Sequence, residues 1–244
     1  MIFVVNGENR QLFETDLILM HRQRKALFVD ELGWRIPVVA DLEIDRYDGA
    51  DTMYLLGKAM PNAELLVSAR LLPTVRPHLM SELFPDASSC SFPRGPTVWE
   101  VSRFCCASQI QRRVRVQLVL EVVCGVMETG LLFGVEQVVF AVNSALLPLT
   151  LRCGWEAEML SLRTGDNEDK VTAVVAAITP QGLRRVRERF SIAAPVTRYH
   201  AHERFHACSD MPDAFSARMS KRPAWSGRRA RQPSRQEAGV QTHG

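Results

Sequence analysis

Four apolar residues in a row, Ile2-Phe3-Val4-Val5, open the chain and predict a strand. Between residues 11 and 32 the rhythm changes. Phe13, Leu17, Met20, Arg24, Leu27 and Leu32 fall near one face at helical spacing, which predicts a helix. Residues 33–51 show no regular period. Two apolar runs, 52–59 and 64–73, flank Met60-Pro61-Asn62 and predict an antiparallel hairpin. One helical turn is expected at 79–84, then a Ser/Pro/Gly loop to about residue 96. A strand comes next at 97–106, and the longest helix at 109–133, with Val114, Leu118, Val122 and Val126 along one side. The remainder reads as a strand at 135–142, a short helix at 144–154 ended by Gly154, strands at 155–162 and 170–178, and a basic helix at 180–190.

This alternation predicts an α/β fold, a three-layer αβα sandwich around a mixed, partly antiparallel sheet. From about residue 196 the pattern stops and Pro, Ser, Gly, Arg and Gln take over. Residues 1–195 are therefore expected to form one domain, and 196–244 a basic, disordered tail. No internal repeat is present.

Composition changes this picture little. Hydrophobic residues at 46% and charged residues at 23% suit a soluble globular protein. No apolar run approaches the ~18 residues of a membrane helix, and the N-terminus lacks a basic region ahead of its short apolar run. The expectation is a cytoplasmic protein without a membrane partner. The six cysteines form no C-x-x-C pair and read as free, mostly buried thiols. Charge adds more. From Pro195 onward nine Lys/Arg face four Asp/Glu, so this tail carries +5 against a total of +3, and the rest carries −2.

The informative chemistry begins where the period fails. Asp41, Glu43, Asp45, Asp48 and Asp51 crowd eleven positions shortly after Phe28 and Trp34. The run lacks the repeat and terminal glutamate of an EF-hand. It reads either as a solvated loop or as a pocket wall for a cation, to which the aromatic rings would add cation–π attraction. Arg24, Arg70 and Arg103 lie in otherwise apolar elements, where an unpaired charge is costly. They either pair with the acids or grip a substrate carboxylate through their planar forks. Glu100 sits in a strand whose polar residues appear on both faces. It is either a proton acceptor or another partner for an arginine.

Arg24, Phe28 and Trp34, then Glu43, Asp45 and Asp48, then Arg70, Phe84, Glu100 and Arg103 occur in the order and spacing of one family signature. Over roughly residues 1–190 the chain resembles the acyl-homoserine-lactone synthases, the autoinducer synthases of quorum sensing. The resemblance implies a fold related to the GCN5-type N-acetyltransferases. It also implies two substrates, S-adenosyl-L-methionine and an acyl thioester carried by coenzyme A or by acyl carrier protein, and no further cofactor. Arg24, Phe28, Trp34, Asp45, Asp48, Arg70, Phe84 and Arg103 are then expected around S-adenosylmethionine. Catalytic roles fall to Glu100, or to a water held by Glu43 and Asp45, together with Arg103. A sulfonium, an ammonium, a carboxylate and an aromatic base are groups that acids, arginines and aromatic rings suit.

The acyl thioester is expected against Ser102, Phe104, Arg112, Arg113, Phe140, Leu147 and Trp155. The acetyltransferase relatives hold pyrophosphate on a Gly-rich loop before the long helix. Here "ASQIQRRVRVQ" has no glycine, so Arg112, Arg113 and Arg115 are the candidate replacements. The segment "LLPLTLRCGW" resembles the branch of the family that uses acyl-CoA, and Phe140 with Leu146, Leu147 and Leu149 points to a short, branched or aryl acyl group. His200, His202 and His206 do not have a zinc spacing, so no metal is expected. Two rivals remain: an N-acetyltransferase acting on another amine, and a nucleic-acid-binding regulatory module that uses the basic tail. A methyltransferase would need a glycine-rich turn after its first strand, and "VNGENRQ" is a poor one. The synthase reading expects no nucleic-acid partner.

Overall fold

Two faces of one sheet explain why Ile2–Val5 is apolar without interruption. In a computed structural model, which describes residues 1–61, 63–83, 92–164 and 170–201, this segment is strand β1, buried at all four positions. Phe3 and Val5 pack with Phe13, Leu17 and Met20 on one face. Ile2 and Val4 pack with the long helix on the other.

The elements run in order as α1 (Glu14–Arg24), β2 (Val38–Val39), β3 (Leu42–Glu43), β4 (Met53–Lys58), β5 (Leu65–Pro73) and α2 (Leu79–Leu83). Then come β6 (Val98–Cys106), α3 (Arg112–Leu132), β7 (Gln137–Asn143), α4 (Leu147–Arg152), β8 (Ala157–Thr164), β9 (Lys170–Ala177), α5 (Pro180–Arg189) and β10 (Thr197–Arg198). Eight strands form one sheet in the order β10-β1-β4-β5-β6-β7-β9-β8, while β2 and β3 pair separately. β6 and β7 run parallel, as do β1 and β10, and the other pairings in the large sheet are antiparallel. The sheet is therefore mixed. With α1 and α2 on one face and α3 and α5 on the other, it is the expected three-layer sandwich.

Local chemistry places the helices. α1 carries Glu14 and Asp16 in its first turn and His21, Arg22 and Arg24 in its last, complementing its dipole. α5 starts at Pro180 behind Thr179, whose hydroxyl accepts from the Gly182 N–H. Gly57 in β4 has a packing reason. A Cβ there would stand 2.3 Å from Val67 Cγ1, so any side chain would displace the Val67 side chain from its packing.

Three expectations need correction. The helix over 11–32 is broken into a 3-10 turn at Arg10–Phe13, α1, and a π-helical segment at Lys25–Glu31. The wider π turn rotates the face, burying Phe28 and leaving Leu32 exposed, so Leu32 leaves the apolar stripe. The supposedly irregular 33–51 stretch contains the β2–β3 hairpin. Its two turn residues, Ala40 (φ 47°) and Asp41 (φ 66°), are both left-handed, as a primed two-residue turn requires. Finally, the sheet takes in β10, beyond residue 195. No apolar period marks that strand, because a side chain holds it. The Glu128 carboxylate of α3 accepts from the N–H groups of Val196 and Thr197 and from the Thr197 hydroxyl.

Two irregularities interrupt the middle of the sheet. The β5–β6 register slips between Ser68 and Arg70, so that Arg103 and Phe104 together face Ala69 in a β-bulge. The parallel β6–β7 ladder pairs only Val98 to Glu100 with Gln137 to Val139. Past that point β6 runs on to Cys106 and β7 to Asn143 without pairing each other, which leaves a wedge between two free strand edges.

Candidate functional site

Three arginines reach one place from three elements. Arg24 ends α1, Arg70 lies in β5 and Arg103 in β6, and all three are buried. Between them stand Glu43 of β3 and, just after it, Asp45 and Asp48. Arg24 donates from both terminal nitrogens to Asp48, at 2.9 Å each, and from Nε to Glu43. Arg70 donates to Asp45 Oδ1 at 2.6 Å, to Asp48 Oδ1 at 3.0 Å and to the Ser102 hydroxyl at 3.2 Å. Arg103 donates to Glu43 Oε1 at 3.1 and 3.2 Å and to Asp45 Oδ2 at 2.8 Å. Three positive and three negative charges thus cancel inside the network, the condition under which buried charge is tolerated.

The β-bulge makes this convergence possible. In a regular strand Arg103 would face α3, opposite Glu100 and Ser102. Its left-handed backbone (φ 52°) brings its side chain to the face that carries Arg70 and Ser102. The polar residues of this strand therefore leave one face, not two, while Trp99, Val101 and Phe104 join the α3-side core.

The network sets the proton chemistry. Burial alone would push the Asp48 carboxyl up, but hydrogen bonds and charge from Arg24, with Arg70 behind, hold it far below the usual carboxylate range. The Tyr54 hydroxyl donates to Asp48 Oδ1 at 2.8 Å, and burial together with the Asp48 charge holds that phenol above its ordinary value. The acid run is not a free anionic wall either. At the surface Asp41 pairs with Lys25 and Asp51 with Arg76, so each of its five carboxylates already has a cation.

Among the described residues, the buried Arg70 Nη2 and Glu100 Oε1 on this face lack a partner, as does Ser68 Oγ on the same face of β5. The other Glu100 oxygen accepts from the Met80 N–H of α2 at 2.6 Å. Since Arg70 pairs with Ser102 and Leu72 with Glu100 across the two strands, the orphaned donor and acceptor lie diagonally on one sheet face. Beside them Phe28 stacks on Trp34 (centroids 4.9 Å apart, planes 24° apart), and the Arg103 guanidinium covers Phe28 at 5.5 Å. Trp34 remains 41% exposed.

Apart from Ser102, the residues expected at an acyl group lie elsewhere. Phe140 and Trp155 pack together at 5.5 Å on the α3 side, with Phe104 and Leu147 against the same core. The Trp155 indole N–H is pinned to the Thr150 carbonyl at 2.8 Å. Ser102 holds Arg70. Arg112 opens α3, and Arg113 and Arg115 stand exposed in its first turn. No side chain caps that helix and no acid sits in its first turn, which leaves it electropositive. Burial raises the Cys105 and Cys106 thiols to about 12 and about 11, so neither supplies a thiolate at neutral pH. Phe84, His202, His206 and the tail from residue 202 lie outside the described residues. His200 packs its ring on Phe3 and Phe13, and no metal-binding group of His, Cys, Asp and Glu occurs among the described residues.

Sequence reasoning missed Tyr47, Tyr54 and His21. His21 places Nδ1 2.7 Å from the Glu43 carbonyl oxygen. Tyr54 reads as one more apolar strand position. An aromatic inside the acid run was the one available signal for Tyr47.

Residues 8–186 match the family model described as autoinducer synthase. An isovaleryl-homoserine lactone synthase of Bradyrhizobium diazoefficiens is 33% identical over 164 residues, 66% of this chain and 73% of that one. An acyl-homoserine-lactone synthase of Pseudomonas amygdali pv. tabaci is 26% identical across 75% of this chain and 81% of its own. Among solved structures, the CoA-dependent acyl-homoserine lactone synthase BjaI, with SAM and isopentyl-CoA, superposes with a TM-score of 0.74 at 29% identity, covering 83% of this chain and 94% of that one.

Proposed function

This chain belongs to the autoinducer synthase family, and we propose that it makes an acyl-homoserine lactone by N-acylating and lactonising S-adenosyl-L-methionine with an acyl thioester. The observation that carries this reading is the pair of orphaned atoms beside a charge-balanced network. The methionyl end of S-adenosylmethionine offers a carboxylate to Arg70 Nη2 and an ammonium to Glu100 Oε1. The sulfonium and adenine suit the Phe28–Trp34 pair.

Of the two proposed bases, Glu100 is the better placed, since Glu43 and Asp45 are already spent on arginines. Glu100 takes a proton from the ammonium, and the free amine attacks the thioester carbonyl. Collapse of the tetrahedral adduct expels the thiol group of the donor. The substrate's own carboxylate then attacks its γ-carbon, closing the lactone and expelling neutral methylthioadenosine. Both steps gain chiefly from alignment.

The wedge between β6 and β7 is the proposed seat of the thioester. Its free backbone N–H groups can pair with amides of the donor and stabilise the oxyanion. The electropositive start of α3, with Arg113 and Arg115, suits the donor's phosphates. The pinned Phe140–Trp155 pair favours a short, branched or aryl acyl group, as does the relative named an isovaleryl-homoserine lactone synthase, and the CoA-dependent BjaI with isopentyl-CoA supports acyl-CoA as the carrier. No helix of the described residues is long and apolar enough to cross a membrane, and a cytoplasmic site of action fits the two substrates.

Mass spectrometry of reactions with S-adenosylmethionine and either isovaleryl-CoA or the matched acyl-carrier protein tests this reading. Lactone and methylthioadenosine in equal amounts are expected, with the higher kcat/KM for the CoA donor. Acylation of another amine without methylthioadenosine would favour the N-acetyltransferase rival.

A further inference from the structure

One aromatic side chain in the acid run has no part in the proposed reaction, yet it touches both the arginine network and α2. Tyr47 lies between Asp45 and Asp48 and is only 7% exposed. Its backbone is fixed at both ends. The N–H donates to Asp45 Oδ1 at 2.9 Å, and the carbonyl accepts from the Thr52 hydroxyl at 2.5 Å. Its ring lies 5.5 Å from the Arg70 guanidinium. Its hydroxyl donates to Glu82 of α2, the same carboxylate that Arg46 pairs with, and the Arg46 guanidinium stands 5.2 Å from the ring.

We infer that Tyr47 is a positioning residue for S-adenosylmethionine, aiming the one unpartnered Arg70 donor at the substrate carboxylate. The inference rests on the proposed reaction only for the identity of that ligand. Arg70 has its Nε and Nη1 committed to Ser102, Asp45 and Asp48. Bonds from Nε and Nη1 leave Nη2 as the one free end of the group, able to tilt out of the guanidinium plane. The Tyr47 ring, centred 5.5 Å from the guanidinium carbon, restricts this tilt and so fixes where Nη2 points. A buried donor without a partner is costly, and such a group persists where a ligand completes it.

The hydroxyl gives the ring its own anchor. α2 is held from one side by Glu100, through the Met80 N–H, and from the other by Tyr47, through Glu82. Glu100 directly, and Arg70 through the Tyr47 ring, are therefore tied to the same short helix. A change at either end of Tyr47 should be felt at the carboxylate subsite and not at the thioester wedge, which lies across β6.

Two variants separate ring from hydroxyl. Tyr47→Leu should raise the Kd of S-adenosylmethionine, read by calorimetry without acyl donor, by about tenfold, the scale of a desolvated cation–π contact. Its KM for S-adenosylmethionine should rise in parallel while the KM for the acyl donor stays within about twofold. Tyr47→Phe keeps the ring and should restore most of the affinity, leaving a rise of about threefold from the lost hydroxyl bond. Glu82→Ala should match the Phe variant, and the double variant should be no weaker than either, since both remove the Tyr47–Glu82 hydrogen bond. Equal rises in both KM values, or an unchanged S-adenosylmethionine Kd in Tyr47→Leu, would overturn the inference. If the Leu variant fails to fold, unchanged affinity in both Tyr47→Phe and Glu82→Ala would overturn it instead. Absence of lactone from the unaltered protein would reject the proposed reaction, and the calorimetric comparison would still judge Tyr47.

Discussion

At the scale of single residues the balance of charge decides most of the behaviour. Asp48 is held ionised by Arg24 and Arg70, so its folded pKa is depressed relative to the ~3.9 of an unfolded chain. A depressed carboxylate stabilises the fold above its unfolded pKa, and that contribution is lost as pH falls through the folded value. Denaturant unfolding of the wild type should therefore lose stability from about pH 4 downward. Asp48→Asn leaves Arg24 with one carboxylate in place of two and should cost on the order of 3 kcal/mol at pH 6, a gap that narrows toward pH 2. A gap independent of pH would show that the carboxylate's charge is not what is lost. Much of this network is legible in the sequence, because an arginine inside an apolar strand must find a carboxylate and the acid run is the obvious supply. Which acid meets which arginine is not legible. Nor are the roles of Tyr54 and Tyr47, since their partners arise from contacts that only the folded sheet creates.

At the scale of elements, strain and exposed charge can be tested separately. Ala40 is a non-glycine residue held left-handed in the β2–β3 turn, a position that asparagine tolerates better than alanine. Ala40→Asn should stabilise the protein by about 0.5–1 kcal/mol, seen as a rise of a few degrees in Tm. A fall in Tm would mean that the turn is set by contacts rather than by conformational preference. In α3, reversing charge with Arg113→Glu and Arg115→Glu together should raise the KM of the acyl donor and leave that of S-adenosylmethionine unchanged. Added salt should shrink the difference. An equal effect on both substrates would remove these arginines from the donor site. The long helices and strands of four or more residues are readable from period alone. The two-residue strands β2, β3 and β10 are not, because each is specified by a turn or by one side-chain acceptor.

At the scale of the whole molecule, the layered architecture comes from alternation of strands and helices, whereas the site depends on where that regularity fails. A bulge turns Arg103 to the face of Arg70, and the β6–β7 ladder stops early to open the wedge. Neither event has a sequence period. The family signature marks residues from several separate segments without indicating that a slipped register brings them together. A different consequence attaches to β10, which hydrogen-bonds along the outer side of β1. Without it a fully apolar strand would become an open edge, ready to pair with another copy of itself. The Glu128 clamp therefore acts as a guard against aggregation as well as a closure. A chain ended at residue 195 should be recovered mainly as insoluble material. One ended at residue 201 should stay in solution with its activity intact, as sedimentation and lactone assays of the two would record.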